Sequence, residues 1–172
     1  MKKTETKDTP MKTLIALLLA PIGIALASTP FGTFSEPTQT FIIGYESYDA
    51  CKSDGGQWDE EAEMCFFPAE NLVNLQEQEG KTILTVDTVG SNGHECHFEG
   101  VATALGDGEY LSKVDTTRYE QNDKGEWVEI PTVCEVSLSF HDGNTVTVGN
   151  NGECSEFCGA RAWLTVDKAI RK

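Results

Sequence analysis

From residue 70 onward the chain alternates apolar and polar positions with a period of two, interrupted at short intervals by turn residues. Leu84 and Val86 fall on one face of a segment whose other face carries Thr85 and Asp87. Cys134, Val136, Leu138 and Phe140 alternate in the same way with Glu135, Ser137 and Ser139, and Val146 and Val148 repeat the pattern. Strands are predicted over 71–76, 82–89, 95–105, 110–119, 133–140 and 145–148. A short strand over 127–130 is expected to stop at Pro131, and a last one to run over 159–166. Glu79-Gly80, Ser91-Asn92-Gly93, Gly106-Asp107-Gly108, the loop 122–125 and Asp142-Gly143 punctuate them as turns. A set of about six to eight short strands with such turns predicts an all-β fold. The expected form is an antiparallel meander making a small barrel or sandwich. Gly100, Ala102 and Ala104 on one strand, with Ala160 and Ala162 on the last, give small inward side chains that suit a tightly packed interior.

Upstream the pattern changes. Residues 48–68 form a small module with Cys51, the turn Gly55-Gly56, Trp58 and Cys65. A Cys51–Cys65 bridge would close a loop of about 15 residues and contribute roughly 3 kcal/mol by restricting the unfolded chain. The acidic run 59–63 lacks the ligand spacing of a calcium loop and reads as a solvated turn. Residues 28–47 mix Pro, Gly, Ser and Thr with scattered aromatics and are expected to be a flexible lead-in, with Phe41-Ile42-Ile43 docking as a short strand. Residues 1–27 read as a signal peptide. Lys2, Lys3, Lys7 and Lys12 precede an apolar run over 14–26, and Ala25-Leu26-Ala27 has the small-x-small form of a cleavage site. Met11 is an alternative start, because a complete signal peptide follows it. The apolar run is too short to favour a membrane span. Ser28, not cysteine, follows the cut, so no lipid anchor of the bacterial kind is expected. The expected location is periplasmic or secreted, with 69–172 as the β domain.

The cut removes four of the 13 Lys and Arg and two of the 28 Asp and Glu, leaving 9 against 26, a balance of −17. That charge argues against nucleic acid, whose binding depends on neutralising phosphates, and against anionic membranes. It serves solubility and allows a cationic protein as partner. Oligomeric state is not legible. Six cysteines remain, Cys51, Cys65, Cys96, Cys134, Cys154 and Cys158, and an even count in an exported chain reads as a disulfide framework. No Asn-x-Ser/Thr sequon is present.

His94-Glu95-Cys96-His97 is the densest set of metal-ligand types. Strand alternation puts His94 and Cys96 on one face and His97 on the other, between Glu95 and Glu99. Cys96 is expected to point inward, as Cys134 does on its own strand, and a Cys96–Cys134 bridge within the sheet is the first choice. Cys154 and Cys158 then bridge locally, or either joins the 96/134 pair; the local bridge is preferred. Cys-x-x-x-Cys is not the spacing of thiol oxidoreductases. His141-Asp142 sits at a hairpin tip near Ser137 and Ser139, without a Gly-x-Ser-x-Gly elbow. Phosphate-cradling glycine motifs are absent and no cofactor or catalysis is expected. Arg161 and Trp163, two apart on the expected last strand, form a cation–π pair, anchor an interface, or cap a neighbouring loop.

Three segments together resemble a known type of domain: Asn92-Gly-His-Glu-Cys96-His-Phe-Glu-Gly100-Val-Ala102, Cys134-Glu-Val-Ser-Leu, and Cys154-x-x-x-Cys158-Gly-Ala-Arg-Ala. Their order is similar to that of a four-cysteine β-domain of exported bacterial proteins, some labelled lysozyme-inhibitor-like, over about residues 70–168. The module at 51–68 resembles short Cys…Gly-Gly…Cys repeats of envelope lipoproteins. The resemblance implies a periplasmic β-domain acting on cell-wall enzymes, and an acidic protein facing a cationic lysozyme is electrostatically sensible. The Ser-Gly-x-x-Tyr loop of better-known inhibitors of C-type lysozyme has no counterpart here, Gly159-Ala-Arg161 being a remote substitute. The sequence thus reads as an exported, disulfide-stabilised binding or structural protein of the bacterial envelope. The alternative is a periplasmic metal-binding protein using His94 and Cys96, with His141 as a further ligand.

Overall fold

A computed structural model describes residues 30–42, 47–159 and 162–172. The signal peptide read over 1–27, and Ala160 and Arg161, lie outside the described residues. The elements run β1 (Gly32–Ile42), α1 (Tyr48–Ser53), β2 (Gln57–Asp59), β3 (Met64–Gln78), β4 (Lys81–Val89), β5 (Glu95–Gly106), β6 (Glu109–Gln121), β7 (Trp127–Phe140), β8 (Thr145–Asn150) and β9 (Val166–Arg171). Each strand from β3 to β9 pairs antiparallel with the next. β1 then pairs with both β9 and β3 and closes an 8-stranded barrel, leaving β2 as an extra strand on β3. Closure pairs most of the strand edges that would otherwise be open to self-pairing.

The interior is filled by side chains of the predicted inward faces. Leu84, Val86, Phe98, Cys134, Val136, Leu138, Val146 and Val148 are buried, together with Phe34, Leu75, Leu164 and Val166. Gly100 meets the predicted need for small residues: a Cβ there would fall on Ser112 Oγ and within 3.0 Å of the Phe98 ring. Ala102 is buried, but Ala104 is exposed, because β5 extends past the barrel wall into the turn at Gly106-Asp107-Gly108.

Several boundaries differ from the sequence reading, each for a physical reason. The expected loose lead-in is a strand over Gly32–Ile42, in register with β3 from Gly32↔Leu75 to Ile42↔Cys65. Its residues are mostly polar, and among its described side chains Phe34 alone is buried in the core. Its ladder is set by distant partners rather than by local propensity. β1 meets β9 over only two residue pairs, and Lys168 N–H donating to Glu36 (2.8 Å) and Lys172 N–H donating to the Thr33 carbonyl (2.9 Å) reinforce that seam.

The boundary expected at 68 falls inside β3. β2 pairs with β3 up to Phe66 and β4 from Leu72, so Pro68 lies where that edge has no strand and its missing N–H costs no ladder bond. Pro131 does not end a strand either. It faces Thr117, whose N–H points away from β7 toward Glu156, and β8 joins β7 only from Val136 onward. A proline at a non-hydrogen-bonded pair on an open edge is tolerated.

In the small module the Cys51–Cys65 bridge forms as expected (Cα–Cα 5.6 Å) and holds α1 against β3. Gly55 turns with φ +83°, and a Cβ on Gly56 would collide with both sulfurs. The acidic run is a turn in which Asp59 Oδ1 accepts the Glu61 and Ala62 N–H groups, both at 2.9 Å. Among the described residues no helix is long and apolar enough to cross a membrane.

Candidate functional site

β5 and β6 separate as they approach the end of the barrel where β8 hands over to β9. Their ladder stops at Ala102↔Ser112, although β5 continues back to Glu95 and β6 on to Gln121. The β8–β9 connection fills the gap. It carries a 3-10 turn at Ser155–Phe157, and Cys158 forms an isolated antiparallel bridge with Cys96. Two disulfides fix it, Cys96–Cys158 to β5 and Cys134–Cys154 to β7, with Cα–Cα distances of 4.0 and 4.7 Å. Neither the Cys96–Cys134 bridge nor the local Cys154–Cys158 bridge exists. Cys96 and Cys134 do both point inward, but on strands separated by β6, and the loop that enters between β5 and β6 brings a partner to each.

Polar side chains complete the clamp. Thr116 Oγ1 and the Thr117 N–H both donate to Glu156, and these bonds, the hydroxyl first, hold the Glu156 carboxyl below its ordinary range. Glu153 accepts from Arg118 Nη1 (2.9 Å) and Thr132 Oγ1 (3.3 Å), while Arg118 Nη2 also meets Glu120 (2.9 Å). Asn151 acts as a piece of strand. Its Nδ2 donates to the Val133 carbonyl (2.8 Å) and its Oδ1 accepts the Glu135 N–H (3.2 Å). Gly159 N–H donates to the Glu95 carbonyl (2.9 Å).

Past the clamp the Ala162 N–H donates back to the Gly159 carbonyl (3.1 Å), and residues 162–165 join no strand. Ala162, Leu164 and Val166 are buried while Trp163 is 75% exposed, which is the alternation that suggested a strand over 159–166. Among the described residues of that span no ladder forms; β9 starts at Val166. Thr88 Oγ1 donates to the Trp163 carbonyl (2.7 Å) and Asn150 Nδ2 to the Leu164 carbonyl (3.0 Å), so barrel side chains satisfy the backbone instead. Trp163 therefore projects from a rigid base, while its expected partner Arg161 lies outside the described residues. The hollow beneath this segment, bordered by Asn150, Ser155, Ala162 and Trp163, holds about 110 Å³. That is well below the few hundred Å³ of a typical small-molecule site.

The other sequence candidates are dispersed. The Cys96 sulfur is bonded to Cys158, so the thiolate that the metal reading needs is not there, and His94 packs its ring against Gly159. Among the described residues no three His, Cys, Asp or Glu side chains gather as metal ligands. His97 points outward as expected, but it pairs across the ladder with Asp87 (2.6 Å) rather than with Glu95 or Glu99. At the opposite end of the barrel, His141 and Asp142 border a cleft of about 370 Å³ with Tyr110, Phe140 and Arg171. Asp142 accepts the Asn144 N–H (2.7 Å), which lowers its pKa, and Arg171 donates to the carbonyls of Gly143 and Phe31. Ser137 donates to the Gly149 carbonyl, Ser139 to Glu109, and His141 faces Thr147, so hydroxyls and imidazole are engaged separately. Sequence reasoning missed the roles of Arg118, Asn151, Glu153 and Glu156. The turn signal Asn150-Asn151-Gly152 was the one local trace of the clamp.

Fold and site define a disulfide-bonded, closed antiparallel β-barrel with a cross-linked loop at its mouth. In comparisons with protein-family models, with curated proteins and with solved structures, nothing matches this chain.

Proposed function

We propose that this is an exported, disulfide-stabilised binding protein of the bacterial envelope that docks a cationic protein partner and performs no chemistry on it. The observation that carries this reading is Trp163, 75% exposed on a loop held by two disulfides. An exposed indole on a pre-ordered base has the composition and rigidity of an interface anchor, since little entropy is lost when it is covered. The acidic balance of the chain supports a basic partner by steering encounter and rejecting acidic competitors. The small hollow beneath Trp163 favours a macromolecular surface over a small ligand.

Lysozyme is the sharpest form of the proposal, because it is cationic and acts in the compartment to which the signal-like N-terminus and the disulfides point. The test is lysozyme turnover on cell walls at low salt with the protein in large molar excess. Slowed turnover is expected; unchanged turnover removes the lysozyme form.

A further inference from the structure

We infer that the outward face of the β6–β7 hairpin is a docking surface for a basic protein, separate from Trp163. The inference takes over the partner class proposed above but not its contact.

The hairpin overshoots the barrel. β5 leaves β6 at Ser112 and β8 reaches β7 only at Val136, so rows 113–121 and 127–135 have no strand on either flank, and the part past Val114 and the buried Cys134 stands out from the barrel. The clamp loop supports one face of this arm through Glu153 on Arg118 and Thr132. Alternation fixes what the opposite face carries. The register pairs Asp115↔Val133, Thr117↔Pro131, Tyr119↔Glu129 and Gln121↔Trp127, all pointing one way. Val133, Pro131, Tyr119 and Trp127 make an apolar strip about 20 Å long at strand rise. Tyr119 is 59% and Trp127 67% exposed. Tryptophan and tyrosine left this open on a projecting, hydrogen-bonded ladder are unusual for a surface without a partner.

The charges choose the occupant. Asp115 and Glu129 flank the strip, and the tip carries Asp123 and Glu126 against one cation, Lys124. The cations on the arm's strands are already matched, Lys113 by Glu135 and Arg118 by Glu120 and Glu153. Tyr119 Oη donates to Glu129 Oε1 at 3.1 Å, which steadies the ring beside the carboxylate. Arginine suits such a strip, because its guanidinium stacks flat on an indole or phenol while forking to an adjacent carboxylate. A basic protein presenting arginine beside apolar side chains would cover both parts. An acidic partner would leave Asp115 and Glu129 unpaired against like charge.

The chain's three tryptophans, Trp58, Trp127 and Trp163, give three indole N–H signals. The experiment is a nuclear magnetic resonance titration of the ¹⁵N-labelled mature protein at low salt, once with lysozyme and once with deca-arginine. A saturable shift of the Trp127 indole is expected with at least one titrant, with the Trp58 indole unmoved. Trp127→Ser should weaken that binding roughly tenfold, the size of an interface hot spot. A Trp127 indole that stays fixed with both titrants overturns the inference. If lysozyme then moves only the Trp163 indole, the proposed function stands without the arm. If deca-arginine moves Trp127 and lysozyme moves nothing, the arm stands and the lysozyme form falls.

Discussion

Single side chains do in this protein what whole strands do elsewhere. Asn151 and Glu156 complete the edges of β7 and β6 with amide and carboxylate groups, where the barrel wall opens to admit the β8–β9 loop. For Glu156 this has a pH signature. Its folded pKa lies below the ordinary 4.5, because the Thr116 hydroxyl and the Thr117 N–H bind the charged form. A depressed carboxylate contributes stability above its unfolded pKa and loses it as pH falls through the lower folded value. Glu156→Gln should therefore lower the thermal midpoint at neutral pH. The gap to the unmodified protein should close as pH drops below 4.5, followed by circular dichroism at stepped pH. A gap that persists unchanged into acid would remove the charge from the explanation.

At the scale of elements, the cross-links decide how firmly the loop is held. The chain between Cys96 and Cys158 spans 62 residues, against 20 for Cys134–Cys154 and 14 for Cys51–Cys65. Loop-closure entropy then assigns about 4 kcal/mol to the first and about 3 kcal/mol to each of the others. In denaturant unfolding, Cys96→Ala and Cys158→Ala should each cost the same, and the double substitution no more than either alone. If Cys96→Ala and Cys134→Ala were instead the non-additive pair, the described connectivity would be wrong. This is also where the sequence ran short. Period-two alternation located β4 to β8 and their inward faces, because each has one face in the core, and Cys51–Cys65 followed from a short local loop. The pairing of the other four cysteines depends on β5 and β6 separating, a non-local event with no period in the sequence. β1 escaped because, among its described side chains, Phe34 alone is buried. The segment 162–166 misled because alternation reports one-sided burial, which an extended loop can have without a ladder. For the site, alternation and residue type offer an interface anchor at Arg161 and Trp163 only beside a cation–π pair or a loop cap, whereas the arm bearing Tyr119 and Trp127 needs the β6–β7 register to bring its apolar residues onto one face.

For the whole molecule, closure and charge work together. The barrel leaves few unpaired edges among the described residues, and in the proposed function the acidic balance of the chain steers basic proteins toward it. In the proposed function the exposed Trp163 on the clamped loop and Trp127 on the arm supply the apolar contact that charge alone does not. Attraction between exposed charges is screened over about 10 Å at 0.1 M salt, whereas a buried indole contact is not. The most direct measurement is a calorimetric titration of lysozyme into the protein lacking residues 1–27 and into its Trp163→Ala variant, each at low and at physiological salt. The account predicts saturable binding that weakens with salt, and a further loss of roughly tenfold in the variant at both salts. Binding that is absent at low salt, or equally strong in the variant, would contradict it.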